Sequence, residues 1–443
     1  MDVEAGFTAV QRLFLDGRKK MIDTQAVAAV THDISRKSFS HEFGRPEVEL
    51  KQKSVWRKVR DLGTRLWLDT GDIEEAKKLW CSDFEALTTN NTLLNKEIQK
   101  GIYDGLVREA AEAVRKAAPG IDEKELILEI AFVLNAHHAL RLVDTFDAWV
   151  SVELHTDLAH DVERSVTYGK RYFDICPERF YIKVPLTPAG FLATRKLGRL
   201  GVPVNFTLGF SARQNYLAAL LAQPAFVNVF LGRLNAFVAD NNLGDGKNIG
   251  EKATLATQRE LLKLREIDRT HSLLIAASMR EGTQVPELGG LDVFTMPPKV
   301  AAQYERSPID EPSKRIKQDP TVSFAEGITL EDFRAQTLWD VSGSFKKAVD
   351  RLLEKDIETL TPEAVRMHFG NAGFSDFLPN WSGSDISMAT TDGKIPVFQN
   401  WKERLTHGEV GLDALMNLSA FCSFATDQKA LDDRIRSLIQ VPN

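Results

Sequence analysis

The sequence predicts an α/β protein built on a (β/α)8 TIM-type barrel, with an N-terminal helical arm and a mostly helical C-terminal extension. Three observations predict it. Between residues 62 and 305, short apolar runs recur, each followed by a polar turn and a segment with helical spacing. There are eight such runs, and their span is close to the ~250 residues that a barrel of this kind takes. The first run leads into Asp69-Thr70-Gly71-Asp72 rather than a glycine-rich phosphate loop. That disfavours the main alternative, a doubly wound open sheet.

In chain order, residues 1–61 read as the arm: AVQRLFL and QAVAAVTHDI carry helical spacing, and Gly44-Arg45-Pro46 interrupts it. The eight runs are RLWLDTG (65–71), FEALTTN (84–90), WVSVEL (149–154), RFYIKVP (179–185), VPVNFTLG (202–209), FVNVFLGR (226–233), SLLIAAS (272–278) and DVFTMPP (292–298). They are brief, nearly unbroken in apolar character and bounded by Gly, Pro, Asp or Asn, as strands buried on both faces should be. Helices are expected over 93–117, 158–172, 188–199 and 212–222, with Pro119-Gly120 dividing the long 91–148 connection into two helices. Residues 306–330, rich in Pro, Asp, Lys and Ser, read as a linker. Residues 331–443 read as a helical extension whose middle, 371–397, looks loop-like.

Composition narrows the function. Lys plus Arg is 56 against 62 Asp plus Glu, a formal charge of −6. Such a balance gives no bulk attraction to nucleic acid or an anionic membrane, so an anionic small molecule would be held by a few placed cations. Cys81, Cys176 and Cys422 form no CxxC or Cys/His cluster, which fits a reducing compartment and argues against a disulfide scaffold or a structural zinc. The N-terminal stretch scatters charges among its apolar residues, unlike a signal peptide. No apolar run approaches the ~20 residues of a membrane span. The expectation is a cytoplasmic protein, with a homodimer as one option for its assembly.

A barrel carries its chemistry at the C-terminal ends of its strands, so the polar residues there are the candidates. Lys183, flanked by Tyr181, Ile182, Val184 and Pro185, is the most informative. Burying an ammonium is costly unless it is paired or neutralised, and a neutral amine can attack a ketone to form a Schiff base. The competing reading is a lysine whose stem is covered while its head reaches solvent. Glu153 can pair with Lys183 or carry protons through water; a plain structural ion pair is the competing reading. Asp69 is a candidate acid, or simply the cap of the helix starting near Asp72. Asn90 and Asn205 can donate to substrate hydroxyls, or satisfy turns. Thr207 and Asn228 occupy equivalent strand positions. Arg233 and Arg280, the latter just beyond Ser278, can clamp a phosphate or serve in surface ion pairs. The histidines form no site: His137-His138 lacks metal-ligand spacing, and His155 shows no partner. GDGKNIGEK (244–252) lacks the spacing of a phosphate-binding loop and reads as an ordinary one.

These strand-end residues, in order over roughly residues 65–300, resemble the transaldolase family. Its members are (β/α)8 barrels that use a Schiff-base lysine, and the family belongs to the class I Schiff-base aldolases. LWLDTGDIEEAKKL is similar to the family's first-strand segment, LTTNNTLLNKE to its TTNPTL segment, IKVPLTPAG to its Schiff-base segment and NFTLGFS to its N-V-T-L-x-F-S. FLGR and AASMR match the segments ending in the phosphate-binding arginines. The resemblance implies Lys183 as nucleophile, Asp69 and Glu153 in acid/base roles with Thr207, and Asn90, Asn205, Asn228 and Thr187 around the substrate. It assigns the phosphate to Arg233, Ser278 and Arg280. It implies transfer of a three-carbon dihydroxyacetone unit from a ketose phosphate such as fructose 6-phosphate or sedoheptulose 7-phosphate to an aldose phosphate, in the pentose phosphate pathway, with no metal and no cofactor.

Two departures stand out. Asn91 replaces the family's usual proline, which should loosen the loop while leaving Asn90 in place. Asn228 replaces a small Ser or Ala and sends an amide toward the lysine. Three rival readings stay open: a fructose-6-phosphate aldolase-like lyase on the same lysine, an enzyme for sugars with another anionic head such as a sulfonate, and a non-catalytic sugar-phosphate-binding paralogue.

Overall fold

The computed structural model describes residues 24–308 and 311–440. Eight parallel strands close into one barrel in the order β1 to β8. They are β1 Arg65–Asp69, β2 Phe84–Thr88, β3 Trp149–Glu153, β4 Phe180–Pro185, β5 Val204–Thr207, β6 Phe226–Phe230, β7 Leu273–Ala277 and β8 Val293–Met296. Each expected run therefore supplies a strand, and the polar residues that follow it fall in the mouth-side loop. Register aligns the mouth-side polar positions: Asp69 pairs with Thr88, Glu153 with Lys183, and Lys183 with Asn205.

The opposite end of the barrel is plugged by rings. Trp67 and Tyr181 stack at 5.6 Å between centroids, Trp149 and Tyr181 at 4.4 Å, and Phe226 meets Trp67 edge-on at 4.7 Å. Aromatic pairs at these distances and tilts add to the burial of their large faces. The barrel is thus solid at its floor and polar at its mouth.

Several helices depart from expectation. The 91–148 connection holds three, Asn91–Gln99, Asp104–Ala117 and Glu123–Phe146. Gly101, at φ +79°, makes the first break, a conformation that costs glycine little. The expected 212–222 helix is α-helical over Ala212–Leu217 and widens to a π-turn over Ala218–Ala222. GDGKNIGEK is not all loop, because the Ile249–Glu266 helix begins inside it. Glu123–Phe146 also corrects the expectation about apolar runs. By length and composition it is long and apolar enough to cross a membrane, yet 89% of its most apolar stretch is buried inside the protein.

In the arm, AVQRLFL lies outside the described residues, whereas QAVAAVTHDI falls in the Thr24–Ser35 helix. Residues 311–330 form no helix or strand, but they are tied to the barrel: Lys252 pairs with Asp319 at 2.7 Å, and the Arg315 amide donates to the Gly289 carbonyl at 2.7 Å. The extension is mostly helical. Its middle is not simply loop, since Gly383–Asp392 is a helix opened by a capping box of Ser382 and Asp385. It ends in a 28-residue helix, Leu412–Ile439.

That last helix lies across the mouth-side loops. Asn417 donates to the carbonyls of Leu186 at 3.1 Å and Leu208 at 2.9 Å, immediately after β4 and β5. His155, expected to lack a partner, meets Asp432 at 3.2 Å. Next to β5, Arg213 is clamped by Asp413 at 2.7 Å and Asp376 at 3.0 Å, and Arg334 also reaches Asp376 at 3.0 Å. The Ser211 hydroxyl adds a 2.7 Å bond to Asp413. Arg213 is only 5% exposed, and its two acids hold its guanidinium above the usual arginine range despite burial. A buried charge of this kind persists because its donors are satisfied.

Candidate active site

Lys183 lies at the centre of the mouth. Its side chain projects from β4, where burial on both faces leaves the amine 4% exposed. Nζ stands 3.7 Å from Glu153 Oε1 and donates to the Thr89 carbonyl at 3.2 Å. Parallel register makes this meeting unavoidable, since Glu153 and Lys183 are directly paired on β3 and β4. Burial pushes the Glu153 carboxyl above the usual range, while Lys183 and the Asn91 amide pull it back.

The Asn91 bond corrects an expectation. Its N–H donates to Glu153 Oε2 at 3.0 Å and its side-chain amide donates to the Leu154 carbonyl at 3.3 Å. A proline has no N–H to give. The departure therefore anchors the loop to the acid rather than loosening it.

Asp69 is free of the capping role, because Asp72 caps the following helix by accepting from the Glu75 amide at 3.0 Å. Asp69 instead accepts from the Thr88 hydroxyl at 2.7 Å, which lies 2.7 Å from the Thr295 hydroxyl. Desolvation pushes its carboxyl up, opposed first by the Lys183 charge. Asn90 lines the same space, and its Oδ1 caps the next helix by accepting from the Leu93 amide at 2.9 Å, as its turn reading expects. Asn205 donates to the Ser151 hydroxyl at 3.0 Å and accepts from Asn228 at 3.2 Å. Asn228 Oδ1 is taken by the Gly209 amide at 3.2 Å. The Thr207 hydroxyl is buried with no hydrogen-bond partner among the described residues.

A cavity of about 270 Å³ joins these groups to the anion end. Asp69, Asn90, Lys183, Asn205, Thr207 and Asn228 line it, as do Arg233, Ser278 and Arg280. Arg233 is 6% exposed and has no carboxylate within ion-pair distance among the described residues. Burial and the neighbouring Arg280 lower its guanidinium to about 10. An unpaired buried cation beside a second one is a strong receptor for an anion. Gly232 makes room for this: a Cβ there would stand 2.1 Å from the Ser278 carbonyl and 2.6 Å from Arg280 Cγ.

Two of the sequence candidates lie off the cavity wall. Glu153 sits behind the lysine. Thr187 caps the Pro188–Arg199 helix: its hydroxyl donates to the Ala159 carbonyl at 2.6 Å and accepts from the Gly190 amide at 2.8 Å. Among the other lining residues, Lys96, Thr295, Lys394 and Phe424 escaped sequence reasoning. Thr88, inside the expected FEALTTN run and at the end of β2, also lines the cavity. Lys394 and Phe424 come from the extension and carry no local signal. Arg233 donates to the Lys394 carbonyl at 3.4 Å.

A closed parallel barrel with its polar groups gathered in one cavity at the mouth, an amine and two guanidiniums among them, has the architecture of a barrel enzyme. Residues 66–356 match the family described as Transaldolase/Fructose-6-phosphate aldolase, and the chain belongs to that family. Among its relatives is a transaldolase of Xanthomonas campestris pv. campestris, 27% identical over 310 residues, which are 66% of this chain and 94% of that protein. A transaldolase of Prochlorococcus marinus is 26% identical over 327 residues, 70% of this chain and 96% of the relative. One from Protochlamydia amoebophila is 28% identical over 241 residues, covering 53% and 73% respectively.

Proposed function

We propose that this transaldolase-family enzyme moves a dihydroxyacetone unit from a ketose phosphate to an aldose phosphate through a Schiff base on Lys183. The observation that carries this reading is the amine itself: it is buried, 3.7 Å from one carboxyl, and shares a cavity with a second carboxyl and two guanidiniums that have no ion-pair partner among the described residues.

Lys183 Nζ adds to the C2 carbonyl, and loss of water from the carbinolamine gives the iminium. Glu153, its carboxyl raised by burial, exchanges protons with that water beside the open Thr207 hydroxyl. The iminium then accepts the electron pair of the C3–C4 bond as Asp69 takes the proton of the C4 hydroxyl. The aldose phosphate departs, and the three-carbon unit remains on Lys183 as an enamine. An incoming aldose phosphate is attacked at its carbonyl carbon, and the steps run in reverse. Asn90, Asn205 and Asn228 hold the hydroxyls, while Arg233 and Arg280 hold the phosphate of donor and acceptor alike. In this reading the reaction serves the pentose phosphate pathway in the cytoplasm.

Borohydride added with fructose 6-phosphate should reduce the imine and leave a stable adduct on Lys183. Intact-mass measurement with no added mass would overturn the scheme.

A further inference from the structure

We propose that Phe424, carried by the C-terminal helix, keeps the Lys183 enamine for transfer by excluding water from it. The proposal rests on the lysine chemistry above and adds a residue that decides between two outcomes of that chemistry. The enamine carbon is basic as well as nucleophilic. Attack on an aldehyde completes transfer. A proton from water instead gives the iminium of dihydroxyacetone, and hydrolysis then frees the amine. The sum of that second route is fructose 6-phosphate split into dihydroxyacetone and glyceraldehyde 3-phosphate, with water consumed in the hydrolysis balanced by water lost in forming the imine.

The barrel side of the cavity favours the second route. Asp69, Asn205, Thr207 and Asn228 surround the amine, and all of them attract water. Phe424 opposes this with an apolar face from the extension. It is 5% exposed, and its ring centroid lies 5.7 Å from Lys183 Nζ. The same ring lies 5.5 Å from the Arg233 guanidinium and 6.4 Å from the Phe230 ring. It therefore covers the space between the amine and the anion end, where the enamine must wait while the phosphates exchange.

This cover is fixed in place. One turn after Phe424, Asp427 accepts from the Thr92 hydroxyl; two turns before it, Asn417 bonds the carbonyls of Leu186 and Leu208. Closing a site to water in this way suppresses hydrolysis of reactive intermediates.

The test compares the native enzyme with Phe424→Leu and Phe424→Ala. Release of glyceraldehyde 3-phosphate from fructose 6-phosphate is measured with and without erythrose 4-phosphate, and borohydride trapping is run in parallel. The ratio of acceptor-free cleavage to transfer should rise about threefold in the leucine variant and on the order of tenfold in the alanine variant, with the adduct retained. If alanine prevents folding, seen by circular dichroism, the leucine variant decides alone. An unchanged ratio with the adduct intact overturns the role of Phe424 only. A native enzyme that forms no adduct overturns this role and the lysine chemistry together.

Discussion

The barrel and the C-terminal extension meet at the same cavity but contribute different things. The barrel supplies the candidate catalytic and binding groups: Lys183, Asp69 and Glu153, the asparagines, and the two arginines. Parallel register delivers them to one rim, so neighbours such as Glu153 and Lys183 are brought together by strand pairing alone. Among the described residues, the extension lines the cavity with no acid. It adds a ring, Phe424, and a cation, Lys394, and it is fastened to the barrel by carboxylates: Asp413 and Asp376 pair with Arg213, while Asp432 meets His155 and Asp427 accepts from Thr92. One region is organised by main-chain geometry, the other by side-chain ion pairs. On the proposed chemistry, the first should tolerate loss of a single side chain as a fold and fail as a catalyst; the second should do the reverse.

The largest effect should come from the barrel. Lys183→Ala removes the amine on which each step depends and should lower transfer at least ~1,000-fold, with far-UV circular dichroism unchanged. Turnover near the native level would break the comparison at its root. Next is the clamp. Arg213→Ala leaves Asp413 and Asp376 facing each other in a buried space, and urea denaturation should show a loss of about 3–5 kcal/mol. A loss below ~1 kcal/mol would mean that packing, not charge, holds the extension on.

The anion end measures how unequal the two regions are. Arg280→Ala removes a planar donor set and should raise the KM for fructose 6-phosphate by roughly 10- to 100-fold. Lys394→Ala removes an exposed point charge and should raise it only about two- to threefold. Equal effects would make the extension a full partner in substrate binding.

The smallest effect is electrostatic. Desolvation places the Asp69 carboxyl higher in the folded chain than in the unfolded one. Between those two values the native state holds a proton that the unfolded chain has lost, so this group's contribution to stability falls as pH rises. Asp69→Asn should therefore raise the melting temperature at neutral pH by roughly 2–4 °C, and the gain should fade as pH drops below ~4. The same variant should lose transfer, because an amide cannot take the C4 hydroxyl proton. Native transfer should correspondingly decline on the acid side as Asp69 becomes protonated.

The barrel was legible because a strand buried on both faces leaves a nearly continuous apolar run with its chemistry at the end. Asp69, Lys183 and Asn205 could be read that way one strand at a time. What the extension does could not be read, because its contacts span hundreds of positions: Asn417 to Leu186, Asp413 to Ser211, and Phe424 to the lysine of β4. Such pairs leave no periodic trace. The Gly383–Asp392 helix was missed for another reason. It buries only Asp385 and Ala389, so it lacks an apolar stripe, although Ser382 and Asp385 offered a capping signal at its start. Thr187 is a different case. Its place beside the nucleophile segment suggested a substrate contact, while its hydroxyl is occupied by a carbonyl and a helix amide.

The Arg213 cluster also bears on how the molecule comes apart. One guanidinium knots together the short helix after β5, the turn at Asp376 and the start of the last helix, and a second arginine shares one of its acids. None of these partners can leave without stranding another charge away from water. Calorimetry should accordingly record a single heat-absorption peak, with no plateau at which an uncapped barrel survives alone.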